Sequence, residues 1–224
     1  MLDPVCLQAL VAILGMISGF LEKAAAAGFG AWAAFRFQEY RENRKQHDER
    51  LNGLREALFV LTSQGSFLIN LDEQQLAPHR DESLRHLLLL PTFPGRAQLK
   101  LDLSKLIFLI KMHESGDLLS HLDLAEARFQ TVLSVLQERR ALHESMQQRL
   151  DVLPATAEAD FLQTVTRAVG RRIVVALKGT TDALYLAVGD ALEENRFCTK
   201  SIQDLIRRVF PKERVPKVFE DGKG

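Results

Sequence analysis

Few side chains in this sequence are spaced for chemistry. His113, Asp117 and His121 recur at intervals of four, which on an unbroken helix would line up three metal ligands. Ser115 and Gly116 interrupt that interval, so no metal site is expected. The run LKGTTD at 177–182 lacks the preceding glycine of a phosphate-cradling loop. No Gly-x-Ser-x-Gly, His-Glu-x-x-His or Cys-x-x-Cys pattern occurs. Cys6 and Cys198 lie near opposite ends, so two free thiols and a reducing compartment are expected for the main body. The reading is therefore no enzyme and no cofactor.

Arg44, His47, Arg139 and His143 form a more regular feature. Phe37, Arg44, Leu51, Leu58 and Gly65 share one heptad position, and Tyr40, His47, Leu54, Leu61 and Leu68 share the other. Leu118, Leu122, Ala125, Phe129, Val132, Leu136, Arg139, His143, Met146, Leu150 and Leu153 keep the same spacing further on. Two long helices thus each carry an Arg and a His on the seam. Packed antiparallel with those positions level, they bring Leu61 level with about Ala125. Such a cationic seam needs acids or solvent, and Glu49, Glu138 and Glu144 are at hand. Separately, Arg80 and His86 match the loose Arg-x(4–6)-His spacing of HEPN ribonucleases. That resemblance rests on two residues and would imply a helical nuclease. An arginine-rich chain with six histidines supplies such a pair by chance.

The elements that carry these residues begin with an apolar stretch. Residues 5–21, VCLQALVAILGMISGFL, are the strongest apolar run, and an N-terminal membrane anchor is expected over 1–35. As one helix, residues 5–35 would extend about 46 Å at 1.5 Å per residue, longer than the roughly 30 Å hydrocarbon core. Glu22 and Lys23 then mark the edge of the hydrocarbon, or form a polar pair within it. Arg36, Arg41, Arg44, Lys45 and Arg50 follow the apolar run and only Asp3 precedes it. A single-pass protein is implied, with its N-terminus outside and its C-terminal bulk cytoplasmic, in the inner membrane if the source is bacterial. Gly15 and Gly19 form a Gly-x-x-x-Gly pair that lets helices approach closely in lipid.

Residues 36–210 read as a cytoplasmic up-and-down helical bundle with coiled-coil-like packing, and 211–224 as a flexible tail. The first helix should continue to about Asp72, with Pro78 as its latest stop. Short helices are expected near Asp81–Leu88 and at 103–112, then the long helix to Pro154. Another runs from about Ala157 towards Glu194, packed through Ala176, Thr180, Ala183, Ala187 and Ala191, with Thr156 as a cap and Gly170, Gly179 and Gly189 as weak points. A separate amphipathic helix is expected at 201–210.

Fold class is therefore all-α. The formal charge is zero, which gives nucleic-acid binding no support. The expected work is interaction: self-association through Gly15, Gly19 and the Leu51, Leu54, Leu58 and Leu61 seam, contact with the lipid bilayer, and docking of a cytoplasmic protein. The alternative from another class is a membrane-perturbing effector, the pore-forming subunit of a toxin or defence system, with Glu22 and Lys23 lining a polar path. A helical enzyme such as a HEPN-like ribonuclease is the second alternative.

Overall fold

The computed structural model describes the backbone of residues 4–92, 99–112, 116–151, 161–211 and 213. Side chains are described within those ranges except 4–31, 33 and 161–164. Five α-helices are present among them: α1 (Pro4–Leu71), α2 (Arg85–Leu88), α3 (Gly116–Leu150), α4 (Phe161–Val169) and α5 (Arg171–Val209). The chain divides into two compact units, 1–49 and 50–224, and α1 contributes to both.

In the first unit, every described side chain from Trp32 to Glu49 is exposed. Helix persists there because the segment is rich in Arg, Glu, Gln, Lys and Ala, the strong helix formers. Arg36–Glu39 at 3.3 Å and Lys45–Glu49 at 3.9 Å add one-turn ion pairs, each a few tenths of a kcal/mol at most. Among the described residues no helix is long and apolar enough to cross a membrane. The expected span at 5–21 lies outside the described side chains.

The second unit is an all-α bundle whose three apolar clusters follow one another along α3. Leu51, Leu54, Leu58 and Leu61 share the first cluster with Leu118, Leu122, Ala125, Cys198 and Ile202. Leu68 and Leu71 share the second with Phe129, Val132, Leu136, Leu184 and Val188. Met146, Val165, Val169 and Leu177 form the third. Residue numbers rise together in α1 and α3 and fall in α5. The 50–71 part of α1 therefore runs parallel to α3, and α5 runs antiparallel to both. Gln64–Glu126 and Phe67–Phe129, two contacts one turn apart, fix the parallel direction. The expected antiparallel pairing of these helices is thus corrected, although Leu61 and Ala125 do share a cluster.

The reason lies in the described parts of the connection, 72–92 and 99–112. Short loops join antiparallel neighbours, whereas this long connection travels back along the bundle and lets α3 start where the body part of α1 starts. A wide π-turn at Asp72–Leu76 and a 3₁₀ turn carrying Pro78 end α1. The chain then places Leu76 and Leu89 in the second cluster and Leu87 against the third. It returns to bury Leu101, Leu106 and Leu109 in the first. The return ends in a 3₁₀ helix, Leu103–Lys111, where Asp102 Oδ1 accepts from Ser104 N at 3.2 Å. Gly53 permits the close approach, since a Cβ there would stand 3.0 Å from the Lys105 carbonyl.

Two further expectations shift. The helix predicted from Ala157 breaks at Gly170, whose φ of 92° suits glycine, and α5 then continues without interruption to Val209. Gly179 and Gly189 do not end it. The buried seam of α5 is Leu177, Thr181, Leu184, Val188, Ala191, Cys198 and Ile202, not the neighbouring Ala176–Ala191 stripe, of which only Ala191 is buried. Burying leucine and valine removes more apolar area from water than burying alanine, and that selects the register. Thr156, Pro154, Leu153 and the tail at 214–224 lie outside the described residues.

Candidate functional site

Gly15, Gly19, Glu22 and Lys23 lie outside the described side chains. Leu51, Leu54, Leu58 and Leu61 are 4, 0, 2 and 0 % exposed, and their own chain covers them. The cationic seam divides. Arg44 and His47 are exposed, with His47 Nδ1 3.5 Å from Asp48 Oδ1, while Arg139 and His143 are buried at 2 and 3 % exposure. Water can solvate the first pair. The second needs partners within the protein, because an unpaired buried cation is costly.

Arg139 finds them in carbonyls. Its Nε donates to Thr181 Oγ1 at 3.1 Å, and its terminal nitrogens donate to the carbonyls of His86, Leu89 and Leu90. It thereby satisfies carbonyls within α2 and just past its C-terminal end. Burial holds its guanidinium below the ordinary arginine value. Beside it, Arg85 donates to Asp182 at 2.8 Å and lies 4.7 Å over the Tyr185 ring, whose hydroxyl donates to the Leu76 carbonyl at 2.8 Å. Arg80 pairs with Asp72 at 2.9 Å. An open groove of about 590 Å³ is lined by Arg80, Arg85, Tyr185, Leu186 and Arg196. His86 is not on its wall but buried at 5 % exposure, so Arg80 and His86 do not share this groove.

Two acids that the sequence reading passed over are buried structural hubs. Glu126 Oε2 accepts from Gln64 at 2.9 Å and from the Leu101 N–H at 3.1 Å, so it ties the returning segment to α1 and α3. It stands next to Ala125 on the heptad seam, and that adjacency was the only available signal. Glu194 meets His121 Nδ1 at 2.7 Å and Arg128 at 3.1 Å. His121 packs on Phe197 with ring centroids 4.5 Å apart and faces a groove of about 430 Å³ with Asp117, Ser201, Asp204 and Arg208. A carboxylate-held histidine beside a serine invites a nucleophilic reading. However, Ser201 sits inside α5, where backbone N–H groups are taken by the preceding turn, so the segment offers no oxyanion hole. No group of three ligating side chains occurs among the described residues, and His113 lies outside them. Burial pushes the Cys198 thiol up to about 12, which makes it an inert core residue.

The exposed aromatics of the first unit remain. Trp32, Phe35, Phe37 and Tyr40 are 56, 68, 64 and 64 % exposed. Arg36 lies 5.9 Å over Trp32, and Arg41 lies 5.9 Å over Phe37. At 100° per residue the four rings spread around roughly 200° of the helix, and they occupy about 12 Å of its length. They form a belt rather than a stripe. No protein-family model, no curated protein and no solved structure matches this chain.

Proposed function

We propose that this protein is a single-pass, membrane-anchored interaction protein. Residues 5–21 cross the bilayer with the N-terminus outside, and the helical body works in the cytoplasm, docking a protein partner. The aromatic belt at Trp32–Tyr40 carries this reading. A helix packed in a core, or lying flat on a membrane, shows its aromatics on one face. A helix that passes through the headgroup region meets the same amphipathic environment all around, and Trp and Tyr with nearby Arg favour that layer. The belt follows Glu22 and Lys23 at the end of the apolar run, on the side where arginines accumulate.

Self-association is assigned to Gly15 and Gly19 in lipid. Continuing the heptads as a parallel pair of α1 helices would set Arg36 of one copy against Arg41 of the other and would place Arg44 and His47 in the seam. Like charges at those positions oppose pairing in water, and Leu51, Leu54, Leu58 and Leu61 are already covered. Gly15→Ile with Gly19→Ile should therefore shift the detergent-solubilised complex to a smaller mass. The test of the anchor is removal of residues 1–35. The shortened chain should leave the membrane pellet, and its retention there at high salt would contradict the reading.

A further inference from the structure

Arg139 is buried with hydrogen-bond acceptors but with no carboxylate paired to it among the described residues. Two buried imidazoles flank it. His86 on α2 and His143 on α3 are 5 and 3 % exposed, and the Nδ1 of each has no hydrogen-bond partner among the described residues. Lys178 from α5 and Arg85 from α2 add positive charge around His86, and the acid facing it is Asp182 of α5. The acid facing His143 is Glu144. Both acids are already engaged, Asp182 by Arg85 at 2.8 Å and Glu144 by Arg140 at 2.6 Å. A proton on either imidazole would thus create a second buried cation beside the first, with both of these carboxylates already in use.

We propose that Arg139, His86 and His143 form an acid-released latch that clamps the segment Arg85–Leu90 onto α3 and α5 above neutral pH and lets it go in acid. Release would uncover Leu89, which is 2 % exposed, and the side of the second and third clusters that Leu87 and Leu89 cover. The direction follows from linkage. Burial, followed by Lys178 for His86 and by Arg139 for His143, holds both imidazoles below their ordinary value of 6.5. The opened segment takes up protons below about 6.5 that the closed one refuses. The closed form is therefore fully stable above that pH and loses stability as pH falls towards the lowered values.

Hydrogen exchange by mass spectrometry on the full chain in detergent micelles tests this. The amides of Leu87, Leu88 and Leu89, which donate to Leu84 and Arg85 carbonyls at 2.8, 3.3 and 3.1 Å, report on the latch. Between about pH 7.5 and about pH 5.5 their protection factors should fall up to ~10-fold for each imidazole. Amides of Leu54–Leu61 should keep theirs. His86→Gln with His143→Gln should flatten the response, and each single change should remove about half of it on a logarithmic scale. Unchanged wild-type protection at 87–89 would overturn the proposal. So would parallel loss across 54–61, which means global acid unfolding, or a full acid response in either single or the double variant.

Discussion

α1 contains two stretches that keep one heptad phase and meet opposite fates. From Phe37 to His47 the seam positions are exposed, whereas from Leu51 to Leu68 the leucines at those positions are 0–4 % exposed. The phase is the same and the side chains differ. The buried stretch has a large aliphatic at every seam position except Gly65, and α3, α5 and the returning segment supply the apolar surface that covers it. The exposed stretch interrupts its aromatics with Arg44 and His47. Periodicity shows which face of a helix is special. Composition then decides whether protein, water or the lipid interface is the better neighbour.

Charge placed on the buried stretch should have the largest effect. Leu54→Glu with Leu58→Glu sets two carboxylates among apolar neighbours at a cost of several kcal/mol, comparable with a domain's whole stability of roughly 5–15 kcal/mol. Circular dichroism should show the body without a cooperative melt. The matching pair on the exposed stretch, Phe37→Glu with Tyr40→Glu, should leave the body's melt within about 0.5 kcal/mol of wild type. A large melt shift from that pair would erase the distinction between the stretches. Arg139→Met should cost the body about 1–3 kcal/mol in denaturant unfolding for each buried carbonyl left without a donor. Gly170→Ala forces a Cβ onto a φ of 92° and should lower stability by about 1 kcal/mol or more in the same assay. Arg55→Ala removes a half-exposed pair with Glu213 at 2.7 Å, and a change of about 0–1 kcal/mol is expected.

The α3 seam was legible in the sequence from Leu118 to Met146: every position there at alternating spacing is buried, including Arg139 and His143, while Leu150 is half-buried and Leu153 lies outside the described residues. Spacing alone identifies a core-facing stripe whatever its chemistry. The end of α1 at Leu71 was also legible, with Pro78 close behind. The direction of α1 against α3 was not. Seam spacing is symmetric under reversal, and the deciding fact is that 76–89 reach the second and third clusters while 101–109 return to the first. The α5 register was missed because alanine spacing suggested close packing, while Leu177, Leu184 and Val188 beside it offered more area to bury. The partners of Arg139 were invisible for a different reason. They are backbone carbonyls at 86, 89 and 90, which carry no side-chain signature.

Trp32 is the one tryptophan in the chain, and it lies in the belt on which the membrane reading rests. The most direct test is therefore its fluorescence in the full chain reconstituted into vesicles whose lipids carry bromine at graded depths. The account predicts stronger quenching by bromine near the headgroups than by bromine near the bilayer centre, with the indole shielded from aqueous iodide. Efficient iodide quenching with no response to any brominated lipid would contradict it.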